Sequence, residues 1–292
     1  MAIVDEVERI KRNIENIYAE AENKGAVITG ERNSDNLANV VNTIPTGGSV
    51  EKGMIITECD ATGYVSKAKI VGLKTVPDYA FYIYSIGTAT ILNMKIKELD
   101  FSESTSIGSG ACYNCSTLEK VIFSNKLTSV GSSAFRGATS LKNDTLPDSI
   151  VYVNDYAFYE CDLRISKLPD SAKYLYSACF YGNPNMKIKE IPAIVTRVYT
   201  YAFGGCTSIT ELDIKTTNSL TLDGDCFRNS GLEKLIIRTT NASIGSTSLT
   251  GTPIGNGNGF IYVPDESIST YQTKTNWSKF ASQIKGLSEL GG

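Results

Sequence analysis

The sequence repeats itself with a period near 23 residues, and no other feature constrains its fold as strongly. Each copy is marked by a small residue followed by a large apolar residue, most often Ala-Phe. The pairs begin at Ala80, Ala111, Ala134, Ala157, Cys179, Ala202, Cys226 and Ser248, at successive steps of 31, 23, 23, 22, 23, 24 and 22 residues. A unit of this length cannot bury an apolar face alone, so such units stack on one another in a solenoid or a similar array.

Each copy carries further positions at fixed distances from this pair. Four residues before the pair stands an aliphatic residue: Val76, Ile107, Val130, Val153, Leu175, Val198, Leu222 and Ile244. Three residues after the Phe position stands a small or polar residue: Cys115, Ala138, Cys161, Asn183, Cys206 and Ser230. Strand-like runs follow at 118–123, 209–214 and 232–237. We predict units made of a strand, a turn, a second extended segment and a short helical turn that carries the Ala-Phe pair, with the Phe rings forming an interior ladder.

The best copies are residues 130–141 (VGSSAFRGATSL) and 198–209 (VYTYAFGGCTSI). They resemble the leucine-rich repeats of the BspA-like surface proteins, and the match extends over residues 70–264. The resemblance implies a repeat solenoid, a right-handed leucine-rich repeat array of short β-strands and turns, over residues 49–292. We expect a C-terminal cap from about residue 264, because a terminal repeat must cover an otherwise open core. Its aromatic cover is predicted to be Tyr262, Tyr271, Trp277 and Phe280.

Residues 1–48 follow a different pattern and predict a short N-terminal α-helical module. Apolar residues recur at steps of four and three, as in a heptad seam: Ile3, Val7, Ile10, Ile14, Ile17 and Ala21. β-branched residues at both core positions of a heptad favour trimers or tetramers, which predicts a coiled coil and a homo-oligomer through residues 3–21. The alternative is a helix that folds back on its own chain. This segment, with Gly25-Ala26 and NSDNL at 33–37, also resembles the start of tail proteins of phages that infect Gram-positive gut bacteria.

The composition excludes several kinds of chemistry. The 292 residues include no His, which removes Ser-His and Cys-His catalytic pairs and every zinc site that contains histidine. The net charge of -3 argues against a nucleic-acid partner. The sequence contains no stretch of about 18 apolar residues, so we expect no membrane span. The N-terminus does not read as a signal peptide. We identify no catalytic residue, no cofactor and no metal site, and therefore do not expect an enzyme.

Most cysteines fall on repeat positions, which favours buried thiols that behave as small apolar side chains. Cys112 and Cys115 form a C-x-x-C pair, which is a weak signal for zinc or for redox chemistry. Both interpretations stay open at this point.

The candidate binding surface is the position that directly follows the ladder Phe. It is occupied by Tyr or Arg in most copies: Tyr82, Tyr113, Arg136, Tyr159, Tyr181 and Arg228, with Gly204 between the last two. If this position faces solvent, it forms a stripe of residue types that dominate recognition surfaces. The alternative is a stabilising ladder in which each ring packs over its neighbour. The candidate site residues are Tyr113, Arg136, Tyr159, Tyr181 and Arg228.

These observations favour a non-enzymatic recognition or adhesion module that binds a protein or glycan ligand on a cell surface. The resemblances imply a phage or prophage tail-associated binding protein, or alternatively a bacterial cell-surface adhesin of the BspA-like kind. Either would place the protein outside the cell, on a virion tail or on a bacterial surface.

Overall fold

The computed structural model describes residues 53–59, 65–81, 85–86, 89–90 and 94–291. The regular elements of this part of the chain are mostly short strands, with one short α-helix and several 3₁₀ turns near its end. The strands are β1 (Gly53–Cys59), β2 (Val65–Val71), β3 (Thr75–Val76), β4 (Ser85–Ile86), β5 (Ala89–Thr90), β6 (Met94–Phe101), β7 (Ser106–Ile107), β8 (Lys120–Phe123), β9 (Ser129–Val130), β10 (Tyr152–Val153), β11 (Tyr174–Leu175), β12 (Glu190–Ile191), β13 (Arg197–Val198), β14 (Glu211–Ile214), β15 (Leu220–Leu222), β16 (Lys234–Ile237), β17 (Ala242–Ile244), β18 (Phe260–Val263) and β19 (Ile284–Gly286). Helix α1 spans Ile268–Thr273, and the 3₁₀ turns are Ile254–Asn256, Asp265–Ser267, Ser278–Gln283 and Leu287–Glu289.

The chain forms a parallel β-solenoid of about eight turns. One short strand from each turn joins an eight-stranded sheet of order β17-β15-β13-β11-β10-β9-β7-β3. Its inward-facing residues are the predicted aliphatic positions, each paired with its equivalent in the next turn, as Val153 pairs with Leu175. The residue before each aliphatic faces outward. The sequence periodicity therefore predicted this sheet correctly.

The second strand of each turn is divided between two sheets. At the N-terminal end the order is β1-β2-β6-β8, and at the C-terminal end it is β12-β14-β16-β18-β19. The predicted strand runs appear as β8, β14 and β16. Between the two sheets the amide of Asn143 substitutes for backbone pairing, because Val121 N–H donates to its Oδ1 at 2.9 Å and its Nδ2 donates to Val121 O at 2.7 Å. The 31-residue step contains the additional β4–β5 hairpin and the long strand β6.

The core is the predicted ladder of phenylalanine rings. Rings from consecutive turns are stacked with centroids 5.2 to 5.9 Å apart and interplanar angles of 1 to 11°: Phe135, Phe158, Phe180, Phe203 and Phe227. Cys112 takes the ring position in one turn and is fully buried. Phe101 packs against Phe81 on one side of this position, and Phe123 packs edge-on against Phe135 on the other. Each fully buried Phe contributes roughly 1.5–3 kcal/mol of transfer free energy.

The segment around each Ala-Phe pair differs from the helical turn that we predicted. It is a chain of tight turns interrupted twice by left-handed residues, and left-handed backbone cannot continue an α-helix. The residue before the pair is left-handed at Tyr79, Gly110, Ser133, Tyr156, Ala178, Tyr201 and Asp225. The second residue after the Phe position is left-handed at Asn114, Gly137, Glu160, Gly182, Gly205, Asn229 and Gly251.

Residues 264–291 pack over the last turn. Tyr271 and Trp277 are fully buried, with their rings edge-to-face at 5.0 Å. Tyr262 is buried as well, and Phe280 packs partly buried against the core. The aromatic side chains predicted for the cap thus all lie at this end of the solenoid.

The predicted N-terminal helical module, including residues 3–21 and the segment that resembles phage tail proteins, lies outside the described residues. In the described ranges, no helix has both the length and the apolar character needed to cross a membrane.

Candidate functional site

The five candidate residues lie along one side of the solenoid, where the tight turns bring the residue after the Phe position to the surface. We call Tyr113, Arg136, Tyr159, Tyr181 and Arg228 the turn row. All five side chains are half-buried. Tyr82, which the sequence placed at the same position of the first copy, lies outside the described residues.

Four members of the turn row form a continuous chain of contacts. The guanidinium carbon of Arg136 lies 5.7 Å from the ring centre of Tyr113 and 4.9 Å from that of Tyr159. Tyr159 stacks on Tyr181 with centroids 4.9 Å apart and an interplanar angle of 10°. The exposed Tyr156 joins the group, since Arg136 also lies 5.2 Å from its ring centre. Arg136 is therefore held over three aromatic faces, an arrangement of cation–π contacts.

Gly204 separates Arg228 from the other four members. A Cβ at Gly204 would lie 2.8 Å from Cδ2 of Tyr181, so the missing side chain is what allows the Tyr181 ring to lie over this turn. Arg228 pairs with Asp225 of its own turn at 3.0 Å. This pairing raises the pKa of Arg228, and the nearby phenols of Tyr201 and Tyr181 act in the same direction.

Tyr159 is a neutral donor and acceptor at physiological pH. Burial raises the pKa of Tyr159 above its ordinary value, and the neighbouring Glu160 and Tyr181 raise it further. The ring stacking predicted by the ladder alternative is present, and the same rings keep part of their surface in solvent. The row thus presents aromatic edges, hydroxyl groups and guanidinium groups on a rigid support.

A second group of aromatic residues covers the outer face of the eight-stranded sheet. We call Tyr152, Tyr174, Tyr176 and Tyr199 the sheet cluster. Tyr152 stacks on Tyr174 at 5.1 Å and 4°, and Tyr174 stacks on Tyr176 at 5.8 Å and 10°. Tyr176 contacts Tyr199 at 5.1 Å.

Basic side chains border the sheet cluster. The ammonium of Lys173 lies 5.2 Å from the Tyr174 ring centre, and the guanidinium carbon of Arg197 lies 4.7 Å from that of Tyr199. This cluster was not predicted from the sequence. A sequence signal for it exists, because Tyr152, Tyr174 and Arg197 each directly precede the aliphatic residue of a predicted strand.

The six cysteines whose side chains the structure describes lie in the core and not at a reactive surface. Six described cysteines are buried and free: Cys112, Cys115, Cys161, Cys179, Cys206 and Cys226. The thiols of Cys115, Cys161 and Cys206 donate to the backbone carbonyls of Phe81, Phe135 and Phe180 in the preceding turns, at 3.0, 3.1 and 3.2 Å. Burial raises the pKa of Cys112 well above its ordinary value and that of Cys206 to about 12. A thiolate, the form that reacts or binds zinc, is therefore disfavoured at both positions.

Asn183 occupies the same repeat position as Cys115, Cys161 and Cys206, and it also donates a hydrogen bond to a backbone carbonyl of the preceding turn. Its amide donates to the carbonyl of Phe158 in the preceding turn at 2.7 Å and to that of Phe180 at 2.9 Å. Its Oδ1 accepts from Leu163 N–H at 3.0 Å. Among the described residues, no group of three or more His, Cys, Asp or Glu side chains is placed to hold a metal ion.

The parallel strands, the repeated turns and the ring ladder define a solenoid of the leucine-rich repeat class, a fold that typically serves as a binding scaffold. The model of the BspA type leucine rich repeat region matches residues 72–151 and 130–254, and the chain belongs to this family. A search of curated proteins found no match.

Three solved structures are similar to this chain. A leucine-rich repeat protein from Bacteroides ovatus is 16% identical, with a TM-score of 0.46, over 82% of this chain and 76% of the other. A leucine rich cell surface protein from Faecalibacterium prausnitzii is 17% identical, with a TM-score of 0.39, over 74% of this chain and 54% of the other. The pneumococcal vaccine antigen PcpA is 16% identical, with a TM-score of 0.30, over 79% of this chain and 80% of the other.

Proposed function

We propose that this protein is a non-enzymatic recognition module that binds a protein ligand on a cell surface through the turn row. The observation that carries the proposal is the contact chain Tyr113–Arg136–Tyr159–Tyr181, in which rigid aromatic and guanidinium groups are held half-exposed. Tyr and Arg are the residues that most often supply binding energy in protein interfaces. Because the rings already support one another, little side-chain entropy is lost when a partner docks.

The test compares binding of the labelled full chain to intact cells with that of a Tyr159→Ser, Tyr181→Ser double variant. The matched control is Arg164→Ser with Lys187→Ser, two exposed residues that follow shortly after Tyr159 and Tyr181 in the chain and lie outside the turn row. We expect at least about tenfold weaker binding for the tyrosine variant, since each lost hot spot is worth about 1–2 kcal/mol. The control should bind like the original chain.

Protease treatment of the cells identifies the class of ligand. Binding through a protein ligand should disappear from protease-treated cells and remain on glycosidase-treated cells. Unchanged binding by the tyrosine variant, with a normal melting temperature, would overturn the proposal.

We further propose that the module is carried as an oligomer on a phage or prophage tail, with a bacterial surface adhesin as the alternative. Support comes from the heptad pattern of residues 3–21 and the resemblance of the N-terminal segment. Light scattering on the full chain and on an Ile10→Asn, Ile14→Asn variant tests it. A trimer or tetramer that dissociates in the variant would support the tail protein, whereas a monomer in both cases would favour the adhesin.

A further inference from the structure

The stack of tyrosine rings on the eight-stranded sheet ends abruptly at Tyr152. Strand β10 lies between β11 and β9, so Tyr152 pairs with Tyr174 on one side and with Ser129 on the other. Its ring stacks on Tyr174 almost in parallel, and its second face is directed toward Ser129, where no ring of the described residues continues the stack. Tyr152 is 42% exposed, one of the highest values among the large hydrophobic side chains described.

The space beyond this ring has a floor of small, uncharged side chains. At the outward position, the three preceding strands carry Ser129, Ser106 and Thr75, and the hydroxyls of Thr75 and Ser106 lie 2.7 Å apart. Asn154 borders the floor, with its Nδ2 donating to Val130 O at 2.8 Å and lying 3.4 Å from the Ser129 hydroxyl. We call Tyr152, Asn154, Ser129, Ser106 and Thr75 the ledge.

The dimensions of the ledge suit a flat ring. Neighbouring strands are about 4.8 Å apart, so each strand without an aromatic residue leaves room for one ring continuing the stack. Three such strands follow one another. The groups that line the space are one aromatic face, hydroxyls and an amide, and none of them carries a charge.

We propose that the ledge is a binding site for neutral carbohydrate, with one pyranose ring stacked on the free face of Tyr152. A pyranose has a face of C–H groups that complements the negative π-face of an aromatic ring, and a rim of hydroxyls that donate and accept hydrogen bonds. Ser129, Ser106 and Asn154 supply groups of both kinds beside the stacked ring. A charged ligand would find no counter-charge among these residues, and an aromatic side chain of a protein would leave the remaining hydrogen-bonding capacity of the hydroxyl floor unused.

This site is separate from the turn row, which lies at the tight turns and not on the outer face of the sheet. The two surfaces therefore make independent predictions. Loss of protein binding through the turn row would leave the carbohydrate site unaffected, and the reverse also holds.

The decisive variant fills the vacant position of the stack. Ser129→Tyr places a ring where the ligand would lie, on an extended residue that tolerates tyrosine, just as Tyr152 and Tyr174 occupy equivalent positions. Ser243→Tyr is the matched control, because Ser243 is exposed at the same outward position on the last strand of the sheet, far from Tyr152. The probes are cellotriose, maltotriose and chitotriose, with a trigalacturonate as the charged comparison and N-acetyl-tyrosinamide as the aromatic one. Saturation-transfer NMR on the full chain measures binding at millimolar concentrations.

The proposal expects at least one neutral trisaccharide to bind, with the strongest transfer to the C–H protons of one sugar face. Ser129→Tyr should weaken this binding at least about tenfold, and Ser243→Tyr should leave it unchanged. Tyr152→Ala removes the stacking ring instead of blocking it and should give the same loss of trisaccharide binding. It replaces Ser129→Tyr as the test if that variant disturbs folding. Binding that survives both variants, no binding of any neutral trisaccharide, or binding of the trigalacturonate or N-acetyl-tyrosinamide alone would overturn the proposal.

Discussion

Single residues in this solenoid adopt backbone conformations that their side chains disfavour. Ser133 has φ of 56° directly before an Ala-Phe pair, although a left-handed conformation costs an L-residue roughly 1–2 kcal/mol. We expect Ser133→Gly to raise the free energy of unfolding by about 1 kcal/mol, since Gly adopts this conformation without the steric cost. The neighbouring Ser132 has no positive φ, so Ser132→Gly should lower stability by about 0.5–1 kcal/mol. Urea unfolding of both variants measures the effect, and a Ser133→Gly chain no more stable than the original would contradict it.

Asp213 is a residue whose charge contributes to stability. It lies nearly buried on β14, where Arg238 donates to both carboxylate oxygens at 3.0 and 2.8 Å and Lys215 donates at 2.7 Å. Burial alone would raise the pKa of Asp213, but the hydrogen bonds from Arg238 and Lys215 outweigh it and lower the pKa below the ordinary 3.8. Its contribution is therefore complete above pH 3.8 and is lost as the pH falls through the lower folded-state value.

We expect Asp213→Asn to cost about 1–3 kcal/mol at neutral pH, and to reduce the steepness with which stability falls below about pH 4. Asp170→Asn is the control, because its partner Lys167 and its own side chain are both mostly exposed. That change should cost less than about 1 kcal/mol. Chemical denaturation across an acid pH series distinguishes the two variants, and parallel pH profiles for the original chain and Asp213→Asn would refute the assignment.

At the scale of elements, side chains of the C-terminal segment form hydrogen bonds with backbone groups at the last strand of the eight-stranded sheet. Tyr271 accepts from Ala242 N–H at 3.0 Å and donates to Thr239 O at 2.8 Å, and Trp277 donates to Ala242 O at 3.0 Å. Burial raises the pKa of Tyr271 to about 12. Tyr271→Phe leaves two buried backbone groups unpaired, so we expect a loss of about 2–4 kcal/mol. Tyr262→Phe should cost less than about 0.5 kcal/mol, and thermal unfolding that ranks the two variants equally would contradict this role.

The sequence predicted the elements whose residues repeat and missed those set by backbone geometry. Aliphatic residues and phenylalanines recur because each faces an identical neighbour one turn away, so their strands and ladder could be read directly. The left-handed position before the pair accepts Tyr, Ser, Ala and Asp as well as Gly, so no residue type marked it, and the segment was predicted as a helical turn. The second left-handed position is Gly or Asn in every copy given above except at Glu160, a signal that the sequence prediction did not use. The turn row could be predicted because its residues share one repeat position. The sheet cluster combines the positions before and after the aliphatic residue, and it could be recognised only in the structure, where the turns are stacked.

At the scale of the whole molecule, each turn depends only on its two neighbours, so the solenoid should tolerate loss of an entire turn. Deleting residues 153–174 joins Tyr152 to Leu175 and preserves the register of the eight-stranded sheet, since these strands are offset by 22 residues. Phe180 would then stack on Phe135, and the amide of Asn183 would donate to Phe135 O, the carbonyl that Cys161 contacts in the intact chain.

This deletion should fold cooperatively and lose about 1–3 kcal/mol, from roughly 0.05–0.15 kcal/mol for each of 22 residues. Deleting residues 153–163 removes half a turn, which places polar surface residues in the core and puts the ring ladder out of register. That chain should not fold. Circular dichroism with thermal unfolding compares the two. If the two deletion variants unfold alike, the prediction is wrong. Only the half-turn deletion disrupts the pairing of neighbouring turns at the junction, so equal stability would mean that contacts beyond adjacent turns determine stability.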